Sequence, residues 1–540
     1  MRARIKAFAS SSVPSFFSGT AAAAFAALLL GALGAAGFAP FSFPAALAAS
    51  TAGLFWLAAA AAKDGRILRG AILGLAWGAA YFSLGLSWTY HSMHVYGGVP
   101  AVLAALGVVA LALLLSLVPA AVCAAACAIR ASRAATLVLI LPGLWCLGEL
   151  FRGSWVMGFG WLSTGYAWSG TLFDVWAPVW GVYGTGLVVN VLIGTILVLL
   201  APYDKKKVVL RSATAIFAGG LVLGTFALGL VKWSAPAGSI EVRLVQPDLP
   251  IAMGLTPKMQ EQRAARVLAM SSRSALGGAL DLIVWPEGVF GYPVQRLGAK
   301  TGLMPLTAAQ ATGAAVLYNG FGERAPGAGV TNSLWLARAA GEGATAQPAQ
   351  EIYQKHHLVP FGEFIPLGFG WFVRALGIPM ADQTRGPVPS SPALVIEGAQ
   401  GALSICYENM FGEELRRWWD AGDPQFIVNV ANLGWFAPRV TGQFTAMSAM
   451  RARETARPFI EVINNAGSAL IGPDGRVERE AASGAQNLDL KLTLYKGPPT
   501  WFVRFGNVPA AAAAVIFLAL GAVLAMRRRR ADARKIPGLS

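Results

Sequence analysis

The pattern of apolar and polar positions changes once along the chain and then changes back. Apolar runs long enough to span a hydrocarbon core of about 30 Å occupy 20–37, 43–62, 69–89, 99–128, 134–151, 182–201 and 212–231, and an eighth occupies 509–526. Between 239 and 496 the runs shorten to about four to eight residues, separated by Gly, Pro and polar clusters, which is the signature of buried strands. This pattern predicts strands at 241–245, 282–285, 314–318, 333–337, 393–396, 402–405, 426–430 and 459–463, with a further hairpin turning at Gly472-Pro473-Asp474-Gly475. Helical patterns lie between several of them, most clearly at 257–274 and 443–455. Strands alternating with helices indicate α/β layers, and about 260 residues suffice for one large core. The predicted architecture is a membrane α-helical bundle of about eight transmembrane helices plus an α/β domain. Its divisions are 1–235 for the first seven spans, 239–496 for the α/β domain, and 505–540 for the last span and a basic tail.

Charge sharpens this picture. The chain is 55% hydrophobic and only 13% charged, whereas soluble domains carry about a quarter charged residues. The net charge of +16 would suit nucleic acid, but its distribution does not, because the basic residues cluster beside apolar runs. Arg2, Arg4 and Lys6 precede the first run; Lys63, Arg66 and Arg69 follow the second; Arg130 and Arg133 follow the fourth. Lys205, Lys206, Lys207 and Arg211 follow the sixth, and Arg527 to Arg530 follow the eighth. Every second connection is basic, so the positive-inside rule puts both termini in the cytoplasm and the 239–496 segment outside. The first run also reads as a signal peptide through Gly31-Ala32-Leu33-Gly34-Ala35-Ala36, and cleavage there leaves the side of the large domain unchanged.

The outward connections are rich in aromatics. Gly37-Phe38-Ala39-Pro40-Phe41 joins the first two runs, Trp88, Tyr90, His91 and His94 follow the third, and 152–181 holds Trp155, Trp161, Tyr166, Trp168, Trp176 and Trp180. They read as an aromatic belt at the bilayer surface, a reading compatible with a lipid-binding vestibule at the same depth. His91 and His94 read as interfacial polar residues. Of the four cysteines, Cys123, Cys127 and Cys146 lie in apolar runs, as small buried thiols do. No His/Cys spacing suits zinc, so neither metal nor cofactor is expected.

Three segments of the α/β region carry ionisable residues at strand ends. Leu282-Ile283-Val284-Trp285-Pro286-Glu287-Gly288 ends a buried strand on a carboxylate. Tyr353-Gln354-Lys355-His356-His357 carries an ammonium, and Gly401-Ala402-Leu403-Ser404-Ile405-Cys406-Tyr407-Glu408-Asn409 ends a strand on a thiol, at what the pattern makes its exposed end. Cys406 has no cysteine partner in its own segment, so a disulfide within that domain is excluded. A carboxylate, an ammonium and a thiol are the parts of nucleophilic acyl transfer: a base, an oxyanion support and a nucleophile. Taken singly, each has a bland reading as a solvated carboxylate, a surface lysine or a core cysteine.

Trp285-Pro286-Glu287, Lys355 with Pro360-Phe361-Gly362-Glu363, and Cys406-Tyr407-Glu408 resemble the Glu-Lys-Cys signature of the nitrilase, or carbon–nitrogen hydrolase, superfamily. A domain of that kind placed before the last of eight spans resembles the apolipoprotein N-acyltransferase family. Phe38-Ala39-Pro40, Gly85-x-x-Trp88, Val245-Gln246, Tyr318-Asn319, Asn432-x-x-Trp435-Phe436, Met450-Arg451-Ala452-Arg453-Glu454 with Arg457-Pro458, and Asn464-Asn465 also match that family's pattern. The resemblance implies an αββα sandwich with Glu287 as general base, Lys355 supporting the oxyanion and Cys406 forming a thioester. It puts Glu363, Tyr407, Glu408 and Asn319 near them. The sequence departs from the pattern at Leu433, where Asp is usual, at Phe444, where the leading helix usually carries His, and at Leu255, where Trp is usual.

The activity implied is transfer of a fatty acyl chain from a phospholipid, typically the sn-1 chain of phosphatidylethanolamine, to the N-terminal amine of a lipid-modified apolipoprotein. The partners implied are that phospholipid donor, the apolipoprotein acceptor and membrane lipid, with no nucleic acid, and the protein is expected to act as a monomer. The implied setting is a bacterial inner membrane with the catalytic domain in the periplasm. Segment 364–373, with Phe364, Phe369, Trp371 and Phe372, reads either as an entrance for acyl chains or as ordinary packing. Two alternatives stay open: a membrane-tethered nitrilase-type amidase, and a divergent paralogue with another acyl acceptor.

Overall fold

The computed structural model describes residues 19–155, 158–202, 208–252, 254–273, 278–323, 329–339, 347–365, 368, 370–371, 383–436 and 438–533. The basic residues expected at 2–6 and 205–207, and 366, 367, 369, 372 and 373 of the predicted acyl entrance, lie outside them. The described parts form two compact units: one from Met1–Ser87, Val102–Val231 and Asn507–Ser540, the other from Trp88–Ala101 and Lys232–Gly506.

In the first unit every predicted apolar run is a helix. The helices α1 (Thr20–Ala35), α2 (Pro44–Lys63), α3 (Ile67–Gly85), α4 (Ala101–Ile129), α5 (Arg133–Ser154), α6 (Ala177–Leu200) and α7 (Val208–Gly229) are joined by the C-terminal helix Val508–Ala533. Seven of the eight are long and apolar enough to cross a membrane. The exception, α1, has 16 residues, short of the roughly 20 that a perpendicular span needs. Helices in lipid gain little from apolar burial and rely on close backbone approach. One face of α3 supplies this: a Cβ on Gly74 would lie 2.1 Å from the Pro119 carbonyl of α4, with Gly70 and Gly78 one turn either side.

Glu149 and Arg152, at the end of the fifth run, are both buried and serve the loop that follows. Glu149 accepts from Trp145 Nε1 at 3.1 Å and from Thr164 N at 2.7 Å. Arg152 donates to the carbonyls of Phe159 and Trp161, both at 2.7 Å. Ionisable groups at membrane depth need such partners, and here they fix the course of 158–164.

The second unit holds two six-stranded sheets, ordered β12-β1-β2-β3-β4-β5 and β11-β10-β9-β8-β7-β6. The first sheet consists of β1 (Ala235–Gln246), β2 (Leu282–Val284), β3 (Ala315–Glu323), β4 (Val330–Ala337), β5 (Gln350–Gln354) and β12 (Gln486–Lys496). The second consists of β6 (Leu394–Ile396), β7 (Ala399–Ile405), β8 (Phe426–Ala431), β9 (Phe459–Ile463), β10 (Ala469–Ile471) and β11 (Val477–Glu480). Each sheet has a parallel centre, β1-β2-β3 and β7-β8-β9, flanked by antiparallel strands. The central strands are continuous apolar runs because both their faces are covered: Leu282, Ile283 and Val284 are fully buried. Helices α8 (Pro257–Ser271) and α9 (Met304–Thr312) pack on the first sheet, and α10 (Val440–Thr455) packs on the second. This is the αββα sandwich. All eight predicted strands and the hairpin form, and β5 and β12 are additional.

The segment after the third span, read from the sequence as part of an aromatic belt or vestibule, is placed by its contacts. It packs with the sandwich unit, because its aromatics find partners there. Trp88 meets Phe436 edge to face at 4.9 Å between ring centroids, Tyr96 meets Trp435 at 5.2 Å, and Ser92 Oγ donates to the Trp435 carbonyl at 2.8 Å.

Candidate active site

The predicted ionisable residues sit just past strand ends. Glu287 follows β2, Lys355 follows β5, and Cys406 follows β7. The carboxyl ends of parallel strands are where open α/β sheets present their ligands. At Gly288 the exit from β2 turns with φ +88°, and a Cβ would lie 2.4 Å from Asn432 Nδ2, so only glycine fits behind Glu287.

The structure brings the three together. Glu287 and Cys406 share a side-chain hydrogen bond. Lys355, 1% exposed, donates from Nζ to Glu363 Oε1 at 2.8 Å. Glu363 Oε2 accepts from Val359 N at 2.8 Å, so the second carboxylate is fixed by its own turn. Cys406 is not at an open strand end, as its sequence position suggested, but 8% exposed. The chain turns into a short 3-10 helix at Cys406–Met410 and folds the thiol inward. Cys406 has φ +52°, a left-handed conformation that costs a non-glycine residue about 1–2 kcal/mol and persists where the surroundings over-determine it.

Glu408 supplies much of that determination. Its Oε1 accepts from Tyr353 OH at 2.8 Å, His356 N at 2.7 Å and His357 N at 2.9 Å, and its Oε2 accepts from Ile405 N at 2.8 Å. One buried carboxyl thus ties the Lys355 turn to the Cys406 turn. Glu408→Leu leaves three backbone N–H groups and a hydroxyl without their acceptor. At about 1–3 kcal/mol for each unsatisfied buried group, a loss of about 3 kcal/mol or more is expected. Thermal unfolding of the purified variant checks this, and an unchanged midpoint would remove Glu408 from its structural role. Tyr407 packs against His357 at 5.8 Å and Phe411 at 5.3 Å between ring centroids.

Two residues of the site were not picked out singly by sequence reasoning. Asn332 Nδ2 donates to both Glu287 Oε1 at 3.0 Å and Glu363 Oε1 at 2.9 Å, bridging the carboxylates. The backbone N–H of Asn432, past the end of β8, donates to Glu287 Oε2 at 3.0 Å and also faces the Cys406 sulfur. Asn319 stands behind Asn332, donating to its Oδ1 at 2.7 Å. Asn332 begins the stretch whose apolar part reads as β4, and nothing in one sequence tells which face of a strand such a residue takes.

Electrostatics follow from enclosure. Burial pushes the Glu287 carboxyl above its usual range, Lys355 opposing and Glu363 adding to the shift. Burial also pushes the Cys406 thiol well up, with the Glu287 charge adding and Lys355 opposing. For Lys355 burial works against the charge, but the carboxylates of Glu363 and Glu287 outweigh it and hold the ammonium above its normal value. The resting site is therefore a neutral thiol beside a carboxyl group and a permanent cation.

Comparison with known proteins agrees with this geometry. Residues 30–196 match the apolipoprotein N-acyltransferase N-terminal domain, and 242–489 match the carbon–nitrogen hydrolase domain. An apolipoprotein N-acyltransferase from Ralstonia nicotianae is 34% identical over 517 residues, covering 93% of this chain and 93% of that protein. The chain belongs to the apolipoprotein N-acyltransferase family. A second such protein, from Nitrosomonas europaea, is 31% identical over 94% of this chain and 98% of its own length. Among solved structures, a carbon–nitrogen hydrolase superfamily protein from Xanthomonas campestris is 19% identical with a TM-score of 0.35, covering 48% of this chain and 91% of that one. This member of the apolipoprotein N-acyltransferase family is thus a multi-pass membrane protein carrying a carbon–nitrogen hydrolase domain. The three positions at which the sequence reading expected other residues can be placed. Leu433 is buried beside Asn432, Phe444 is buried on α10, where its carbonyl accepts from Asn409 Nδ2 at 3.2 Å, and the Leu255 carbonyl accepts from Tyr292 OH at 2.5 Å.

Proposed function

We propose that this chain moves a fatty acyl chain from a membrane phospholipid to the N-terminal amine of a lipid-modified apolipoprotein, in two steps through a thioester on Cys406. The observation that carries the reading is the convergence of Glu287, Lys355 and Cys406 in one buried cluster of a chain that also carries seven membrane-length apolar helices.

The thiol is held neutral, so proton removal and attack are coupled. Glu287 takes the Sγ proton as sulfur attacks the ester carbonyl. The oxyanion forms against the Lys355 ammonium. Its collapse breaks the C–O bond, and the lysophospholipid leaves with the proton from Glu287. In the second step the apolipoprotein amine attacks the thioester and gives its proton to Glu287. The C–S bond breaks, and the thiolate is reprotonated. Water must be kept out throughout, or the thioester hydrolyses to free fatty acid; the enclosure of Cys406 serves this end. The donor we favour is the sn-1 chain of phosphatidylethanolamine, and the acting species is a monomer. We assign both termini to the cytoplasm and the catalytic unit to the periplasm, on the alternation of basic connections.

The decisive assay combines purified protein, labelled phosphatidylethanolamine and a diacylated lipopeptide. N-acylated peptide supports the reading. Fatty acid release alone, or turnover of small amides without phospholipid, would replace it with the amidase alternative.

A pH dependence follows from Glu287. Thioester formation needs its ionised form, and burial has raised its pKa. The rate therefore falls as pH drops through a value above the usual carboxylate figure of about 4. Single-turnover rates of acyl-enzyme formation across pH test this, and an acid limb at the ordinary carboxylate value would contradict it.

A further inference from the structure

Behind the nucleophile lies a second polar cluster that the reaction does not use. Ser404 on β7, Asn429 on β8 and Glu461 on β9 are direct neighbours across the parallel ladder, Ser404 opposite Asn429 and Asn429 opposite Glu461. All three are buried, Asn429 and Glu461 completely. Asn429 Nδ2 donates to Ser404 Oγ at 2.9 Å and to the Cys406 carbonyl at 3.2 Å. It thereby holds the backbone of Cys406, whose φ is left-handed. Glu461 Oε1 accepts from Thr445 Oγ1 of α10 at 2.9 Å, and the nearby Ser448 hydroxyl of α10 also favours this carboxyl's charged form. Ser448 Oγ in turn accepts from Asn409 Nδ2 at 3.0 Å, three residues after Cys406.

Among the described residues, two oxygens of the cluster have no donor within hydrogen-bond distance: Asn429 Oδ1 and Glu461 Oε2. Both are acceptors when the carboxyl is ionised, and buried acceptors without donors are costly. We propose that Glu461 is a positioning residue for the nucleophile: as a neutral acid it donates from Oε2 to Asn429 Oδ1 and so fixes the Asn429 amide in the orientation that holds the Cys406 carbonyl. The reversed amide would aim an oxygen at that carbonyl and release the turn. An ionised Glu461 favours the reversed amide, since it then needs a donor from Asn429. Burial supports the neutral form, pushing the Glu461 carboxyl up to about 7 against the Ser448 and Thr445 hydroxyls, with the negative charge of Glu480 on β11 adding to the shift.

The inference rests on Cys406 as the acyl carrier, and its test separates the two. Glutamine reproduces the neutral acid, with one oxygen to accept from α10 and an N–H to donate to Asn429. Leucine reproduces neither. With full-length protein and phosphatidylethanolamine vesicles, Glu461→Gln is expected to form the acyl-enzyme within about twofold of the wild-type rate. Glu461→Leu is expected to form it roughly tenfold to a hundredfold more slowly, the scale of a small misplacement of a reacting group. The infrared difference spectrum between wild type and Glu461→Gln at about pH 6 should contain the carbonyl band of a protonated carboxylic acid. Glu461→Gln as slow as Glu461→Leu, or Glu461→Leu at the wild-type rate, overturns the proposal, and so does a difference spectrum with only carboxylate bands. Should Glu461→Leu fail to fold, the Glu461→Gln rate and the infrared band decide. A wild-type protein that forms no adduct on Cys406 would instead sink the thioester reading, and the infrared band would still score the protonation of Glu461.

Discussion

Cys406→Ala is expected to abolish N-acylation of a lipopeptide while the protein still inserts and folds. In the proposed reaction the sulfur carries the acyl group, and it lies in the fields of both Glu287 and Lys355. Removing the nucleophile of a covalent mechanism costs on the order of 10⁶-fold where it has been measured in other enzymes, so the loss should reach the background of the assay. Folding should survive, because the turn is held by neighbours of the sulfur and not by the sulfur. Glu408 accepts from Ile405 N, and Asn429 donates to the Cys406 carbonyl. Two measurements decide the matter: N-acylation of a diacylated lipopeptide by purified variant in vesicles, and thermal unfolding of the same preparation. Acylated peptide above background would remove Cys406 from the nucleophile's role. A collapsed unfolding midpoint would show that the thiol is also structural.

Much of this was legible in the chain, and what was not has a physical pattern. Strands buried on both faces are written as uninterrupted apolar runs, as in Leu282-Ile283-Val284 and Phe426-Ile427-Val428, and these were readable without any structure. The two strands not anticipated, β5 and β12, are the two edges of the first sheet. Edge strands need only one covered face and carry polar residues on the other. β5 reads Gln350-Glu351-Ile352-Tyr353-Gln354, while β12 alternates Leu488, Leu490, Leu492 and Leu494 with polar residues, a period-two signal weaker than a continuous run. β12 also holds Asp489, which takes the buried Arg243 of β1 at 2.7 Å. The site divides in the same way. Glu287 and Cys406 stand at the ends of apolar strands, where a lone chemically active residue breaks the pattern, while Lys355 follows the polar edge strand β5. Asn332 and Glu461 lie inside strands, and their importance comes from neighbours far off in sequence: Asn332 lies 45 residues from Glu287 and 31 from Glu363. The burial of Cys406 was illegible for a related reason. A strand end looks open until one knows that the chain beyond it turns back with φ +52°.

Glu287→Gln should stop the first half-reaction and leave the fold intact, and this separates a base from a structural carboxylate. Glu287 accepts from Asn332 Nδ2 through one oxygen and from Asn432 N through the other. Glutamine can keep the Asn332 contact with its carbonyl oxygen but turns an N–H toward the Asn432 N–H, a local loss of about 1 kcal/mol. Against that, glutamine removes a charge whose burial is costly enough to have raised the carboxyl's pKa, and replacing one charge of an enclosed group by a neutral isostere recovers desolvation energy. The net change in unfolding midpoint should therefore be small. Activity should not follow stability. The thiol is held neutral by burial, and the other nearby carboxylate, Glu363, has its oxygens engaged by Lys355, Asn332 and Val359 N as the C–S bond forms. Lys355 is a cation already and cannot serve. General-base assistance is worth about 10²–10⁴-fold, and that is the expected slowing of acyl-enzyme formation, read as the appearance of one acyl mass on the intact protein after mixing with phosphatidylethanolamine. Acyl-enzyme at the wild-type rate would take Glu287 out of the base's role. If instead the adduct forms slowly but then passes to the lipopeptide at the wild-type rate, Glu287 serves the first step alone, and the amine must reach the thioester already deprotonated.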